Sequence, residues 1–300
     1  MDILVTGASG LLGSRLAKLL IYKGYKIYTG YYSNKPNYGI PVKLDVSNEN
    51  NISKVIDEIK PDVIIHSAAL TNVDVCETNK KLAWKINVLG TRNIALYSKR
   101  IKSFLIYIST DYVFDGSKGF YKEDDQPNPI NYYGFTKLRG EEEVKNLVDE
   151  YCIVRPSVIY GSTPASGKIN FALWVIEKLK NNESINVVTD QWNSPTLNTN
   201  LAEMLIEVLE KRLTGIYHLA GATRINRYEF AKLIAEVFSL NKELIKPIDS
   251  NKISWIARRP KDSSLDVRKA LSTLSHKPYK IEDALNVLKN EYYSIDTSSK

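Results

Sequence analysis

The chain opens with a short apolar run, Asp2-Ile-Leu-Val-Thr6, that leads straight into glycines. Over residues 14–23, Leu16, Leu19 and Leu20 fall on one face and Arg15, Lys18 and Lys23 off it, a spacing that predicts a helix. Further strands are predicted at 25–32, 62–66 and 103–109, with helices near 50–59 and 80–100 between them. The continuous apolar runs Asp62-Val-Ile-Ile-His66 and Phe104-Leu-Ile-Tyr-Ile108 suit strands covered on both faces. Alternation of strand and helix predicts an α/β fold, a doubly wound parallel sheet with right-handed crossovers. After Arg155 the rhythm changes. A Gly/Ser/Pro-containing stretch at 161–168 precedes a helix at about 169–182, and turn residues crowd 190–198 and 247–263. We therefore expect a dinucleotide-binding domain over 1–155. Residues 156–300 should form a smaller α/β substrate lobe with segments crossing back to the sheet. Residues 294–300 read as a frayed tail.

Composition narrows the class. At 300 residues with 43% hydrophobic and 25% charged, the chain reads as an ordinary globular protein of one large domain or two joined ones. No apolar run has membrane-spanning length and residues 1–6 already read as strand, so a cytoplasmic protein is expected. The net charge of +7 is spread along the chain. Its tightest basic group, Arg258-Arg259-Pro260-Lys261, is too short for a nucleic-acid arm. Cys76 and Cys152 have no metal-ligand spacing, and His66, His218 and His276 lie far apart, so neither a disulfide framework nor a metal site is expected.

The chemistry starts at Gly7-Ala8-Ser9-Gly10-Leu11-Leu12-Gly13. Between a strand and a helix, three such glycines permit a tight turn, close approach of backbone to a pyrophosphate, and close helix packing, with the helix N-terminus facing the phosphates. The spacing G-x-x-G-x-x-G differs from the commoner G-x-G-x-x-G. An acidic residue at the end of the second strand would mark NAD, yet no Asp or Glu occurs from Ser14 to Leu44. Arg15, Ser33 and Lys35 lie in that stretch as receivers for a 2′-phosphate. NADPH is favoured over NADH. Asp45 and Val46 are placed by chain order near the adenine, and Ala68, Ala69 and Leu70 leave room for the cofactor to cross the sheet edge.

A second constellation sits at the end of the fifth strand, Ser109-Thr-Asp-Tyr-Val-Phe-Asp-Gly116, with Asn131-Tyr-Tyr-Gly-Phe-Thr-Lys137 after it. Tyr133 and Lys137, four apart, share a helix face. A lysine ammonium there should lower the phenol's pKa. Such a tyrosine can protonate a carbonyl oxygen as hydride reaches its carbon, with Thr110 hydrogen-bonded to either oxygen.

Taken together, VTGASGLLG, STDYVFDG, PNPINYYGFTKLRGE, GIYHLAG followed by RYEFA, and RRPKDSSLD occur in an order that resembles the extended short-chain dehydrogenases/reductases. Within these the chain closely resembles the dTDP-4-dehydrorhamnose reductase family, over residues 3 to about 267. The resemblance implies NAD(P)H-dependent reduction of the C4 ketone of a nucleotide-linked 6-deoxyhexose. Tyr133 would be the proton donor, Lys137 its partner and Thr110 the residue tuning it. It also implies Thr110 and Asp111 at the sugar, and Ser157, Gln191, Arg258 and Arg259 in the substrate lobe, the arginines paired with a diphosphate. Relatives are often dimers, although no helix pattern marks an interface. One departure stands out. Where the bacterial reductases have a tryptophan beside the sugar, this chain reads Arg155-Pro156-Ser157-Val158. Pro156 and the missing tryptophan are shared with the similar regulatory β subunit of methionine adenosyltransferase, a non-catalytic alternative.

Overall fold

A computed structural model describes residues 1–165 and 168–297. The apolar runs become β1 (Asp2–Thr6), β2 (Lys26–Tyr31), β3 (Ile40–Lys43), β4 (Val63–His66), β5 (Phe104–Ile108) and β6 (Tyr151–Arg155). They join one parallel sheet in the order β3-β2-β1-β4-β5-β6, and the late strand Gly215–His218 adds outside β6. Its registers include Thr6 opposite His66 and Ile108 opposite Val154. Strand order reverses between β1 and β4, which opens a crevice at their carboxyl ends. The sheet is doubly wound, as the alternating pattern predicts.

Alternate residues of each strand face opposite layers. Ile3, Val5, Ile65, Ile106 and Val154 pack with α1 (Leu11–Tyr22) and a later helix, Asn198–Lys211. Leu4, Ile64, Leu105 and Ile153 pack on the other face with α2 (Glu49–Ile59), α3 (Gly90–Ile101) and α4 (Tyr132–Leu147). Covering on both faces is why these runs lack polar alternation.

α1 begins at Leu11, earlier than its apolar spacing suggests, so Gly13 lies inside its first turn. The helical stretch expected at 80–100 is broken. Short helices Val73–Thr78 and Lys80–Trp84 lead into a single π turn, Lys85–Leu89, and then α3. A second apolar cluster is built from helices Phe171–Lys180, Arg227–Val237 and Ile281–Thr297 around the paired strands Ile185–Val188 and Ile245–Ile248. The last of these helices runs to Thr297, so residues 294–297 are helical rather than a frayed tail, while 298–300 lie outside the described residues. Among the described residues no helix is long and apolar enough to cross a membrane.

Candidate functional site

The glycine turn joins β1 to α1 at the crevice. Gly7 is left-handed (φ +65°), and a Cβ there would lie 2.8 Å from the backbone N and Cα of Ala68 beyond β4. A Cβ on Gly13 would run into the Gly7 carbonyl oxygen and sit 2.8 Å from the Ala8 Cα. The helix thus rests directly on the turn. Gly10 stands at the N-cap with no side chain to accept from α1, and its own N–H donates to the Gly7 carbonyl (2.9 Å). Uncapped amides at a helix start, with space that only a missing Cβ leaves open, form a cradle for a phosphate. Ser9 and Leu11 are half-buried at this cradle and Leu12 is buried behind it.

Ser33 and Lys35 are exposed just past the end of β2. Arg15, expected to face the same phosphate, does not. Its guanidinium donates to Glu291 (2.6 Å) and Ser162 (3.1 Å), because its helix face turns toward the C-terminal helix. Asp45 follows β3, half-buried, and accepts from the Ser47 N–H (2.8 Å); Val46 is buried beside it. Ala68, Ala69 and Leu70 line the exit of β4. Leu70 is fastened on both backbone groups by Asn87, whose amide nitrogen also donates to Thr136 (3.0 Å) on α4.

Thr110, Tyr133 and Lys137 converge past the end of β5. Asn131 caps α4 through the Gly134 N–H (2.8 Å), and the helix starts so close to the 3₁₀ turn Asp111–Val113 that a Cβ on Gly134 would strike the Tyr112 carbonyl. Tyr133 keeps an accessible edge, stacks edge-on to Tyr112 (6.0 Å between centroids), and lies against the Thr110 hydroxyl, whose proton is directed at Asp111. Lys137 is 2% exposed; its Nζ donates to the Ile108 carbonyl (2.7 Å) above the Tyr107 ring (4.1 Å). Burial lowers the lysine to about 7. The expectation that Lys137 lowers the phenol is corrected here. Burial outweighs the Thr110 hydroxyl and pushes Tyr133 well above the ordinary tyrosine range, and the ammonium is directed at a backbone carbonyl instead.

The residues expected at the sugar are arranged differently from the sequence reading. Asp111 is 2% exposed, and its carboxylate accepts from Ser157 (2.8 Å), Ser263 (2.6 Å) and Thr110 (3.0 Å). Burial raises its pKa against those hydrogen bonds. Asp111 and Ser157 therefore brace each other rather than face open space. Gln191 is buried and its carbonyl accepts the Arg227 N–H (3.1 Å). Arg258 is exposed, with its carbonyl bound by Asn131 (2.9 Å). Arg259 pairs with Asp74 (3.0 Å), which also accepts the Ala257 N–H (3.0 Å), so the 257–259 segment is strapped to the nucleotide side. Val158 sits at φ +37°, an unusual backbone for a β-branched residue.

Sequence reasoning missed several of these groups. Asn87 lies in the π turn, which no periodicity reveals. Arg227 opens its helix behind the Asn226 cap, lies over the Phe171 ring (4.9 Å), and interacts electrostatically with Tyr112 and Asp111. It has no ion-pair partner among the described residues, and burial lowers its pKa. Its helix start, Asn-Arg-Tyr-Glu-Phe, was the available signal.

The family model described as RmlD substrate binding domain matches residues 1–294. A solved dTDP-4-dehydrorhamnose reductase from Bacillus anthracis, in complex with NADP, is 34% identical with a TM-score of 0.87 over 97% of this chain and 99% of that one. A probable low-salt glycan biosynthesis reductase of Haloferax volcanii is 33% identical over 96% of this chain and 97% of its own length. Methionine adenosyltransferase 2 subunit beta of Xenopus tropicalis is 32% identical over 89% of this chain and 80% of its own. A glycine cradle, a Tyr133–Lys137 helix face beside Thr110, and a family match over residues 1–294 converge: this chain belongs to the RmlD substrate-binding-domain family.

Proposed function

We propose that this chain reduces the C4 ketone of a nucleotide-linked 6-deoxyhexose, dTDP-4-dehydro-L-rhamnose, to the corresponding alcohol with NADPH. One observation carries the reading: Thr110, Tyr133 and Lys137 meet at the end of β5 beside the phosphate cradle at the sheet's switch point. Membership of the family makes the chain an oxidoreductase that works with NADP on a nucleotide sugar. NADPH, when bound, supplies the hydride. Ser9 to Gly13 would hold its pyrophosphate, Ser33 and Lys35 would take a 2′-phosphate, and Asp45, Val46 and Ala68 to Leu70 would border the rest of the cofactor. NADH is the alternative donor. Residues 1–155 are the dinucleotide half, and 156–300 mainly the substrate lobe.

Proton supply follows from the local electrostatics. A phenol whose pKa burial has raised is protonated at neutral pH, the state a proton donor to a carbonyl requires. Tyr133 gives that proton to the C4 oxygen as C4 accepts hydride, and the Thr110 hydroxyl can turn from Asp111 to hydrogen-bond either oxygen. Lys137, held at the Ile108 carbonyl, orients the reacting end of the helix. Arg227, with Arg258 and Arg259, faces the substrate's diphosphate. Asp111 and Ser157 hold Thr110 in place from behind.

With dTDP-4-dehydro-L-rhamnose and NADPH, Tyr133→Phe should cut turnover by roughly 10²–10⁴-fold while NADP still binds. Unchanged turnover would overturn the assignment. A panel of 4-keto nucleotide sugars with NADPH and NADH fixes sugar and donor. Val158, together with the 32% identity to a methionine adenosyltransferase subunit, favours a second, regulatory reading. Co-purification with a methionine adenosyltransferase, without carbonyl reduction by the panel, would select it.

A further inference from the structure

The face of α4 that carries Tyr133 and Lys137 continues one turn further to Glu141, which is fully buried. Three residues four apart thus address three successive residues leaving β5: Tyr133 meets Thr110, Lys137 meets the Ile108 carbonyl, and Glu141 accepts from the Ser109 hydroxyl (2.6 Å). Glu141 is in turn gripped by Arg155 at the end of β6, Nε to Oε1 at 2.8 Å and Nη2 to Oε2 at 2.7 Å. Arg155 itself is 1% exposed and lies over Phe114 (5.1 Å) and beside His218 (3.4 Å). A buried ion pair of this kind adds little stability over apolar packing. What this fork-to-fork geometry supplies is direction, since it fixes the roll of α4 against the strand end.

The groups around Lys137 sharpen the point. Cys76 faces it from the 73–78 helix, His66 from β4, Tyr107 from β5 and Glu141 from its own helix. Burial raises the Cys76 thiol to about 11 and the Tyr107 phenol beyond its usual range, and it lowers His66 to about 3. All three are therefore neutral near pH 7. Glu141 is the charged member of that set, and Lys145 (3.9 Å) reaches it from the surface.

We propose that Glu141, clamped by Arg155, is a positioning residue: it aligns Lys137 and the Ser109–Thr110 peptide with Tyr133 and provides the negative charge facing the Lys137 ammonium. The inference rests on Tyr133 and Lys137 being the reacting pair. Its electrostatic part is tested on the ligand-free chain, so failure there is distinct from failure of that assignment.

The titration of Lys137, followed by NMR on protein labelled at the lysine side-chain carbons, should shift to lower pH in Glu141→Gln by about one pH unit or more. If Arg155, left without its partner, unfolds that variant, Glu141→Gln is read in an Arg155→Gln background against Arg155→Gln alone, so that the two chains differ only in the Glu141 charge. A Lys137 midpoint equal to that of the parent chain that keeps Glu141, in a folded variant, overturns the electrostatic role. Ser109→Ala, which leaves the ion pair whole, should lower kcat about tenfold with KM unchanged; an unchanged kcat overturns the alignment.

Discussion

At Gly13 the constraint is steric. Its φ is not left-handed, so an alanine would suit the helix, but the added methyl would meet the Gly7 carbonyl and the Ala8 backbone, neither of which can swing aside. Gly13→Ala should weaken NADP binding by tenfold or more and cost about 1–3 kcal/mol of stability, checked by ligand titration and denaturant unfolding. Tyr133 and Lys137 carry the opposite lesson. Their spacing was legible, and so was their shared face. The electrostatic outcome was not, because desolvation depends on what else the fold places over the phenol and the ammonium. Arg15 was misplaced for a related reason. Sequence proximity to the glycine turn says nothing about which neighbour its face meets, and Glu291 is 276 positions away.

At the scale of elements, α4 and the strap at 257–259 work through one residue. Asn131 accepts from the Gly134 N–H as the helix cap and donates to the Arg258 carbonyl across 127 positions. Asn131→Ala removes both bonds and should cost about 1–2 kcal/mol. Asn131→Asp keeps the acceptor but has no donor for the carbonyl. Denaturant midpoints should therefore recover in the Asp variant while KM for the nucleotide sugar stays raised in both. Equal KM values in the Asp variant and the unaltered chain would exclude a part for the strap in substrate binding. Helix boundaries near the site were harder to read than their existence. The π turn that inserts Asn87 and the early start of α1 both depend on backbone contacts made only in the folded chain.

Across the whole molecule, the buried histidines set an acid limit. His66 is held between Thr6 (2.8 Å) and Thr91 (3.1 Å) beneath the site, and burial lowers both His66 and His218 from 6.5 to about 3. The unfolded chain takes up these protons first as pH falls. Their contribution is therefore intact above pH 6.5 and drains away between 6.5 and 3. Each histidine should cost about 2 kcal/mol of stability at about pH 5. Unfolding followed by circular dichroism from about pH 7.5 to 4.5 should show this loss, and His66→Gln should flatten part of it. A carboxylate held low, such as Asp115 at about 2, acts only in more acidic solution. The sequence by itself determined the doubly wound sheet, the phosphate turn and the Tyr133–Lys137 face, because local periodicity and glycine spacing encode what neighbours along the chain must do. Only the tertiary structure decided that Asp111 is enclosed by three hydroxyls, that Arg259 is paired to Asp74, and that Glu141 and Arg227 stand behind and beside the reacting groups. Apart from the bond between neighbours Thr110 and Asp111, those pairings join positions from 14 to 185 residues apart, and burial, which sets their charge states, exists only once the chain has closed over them.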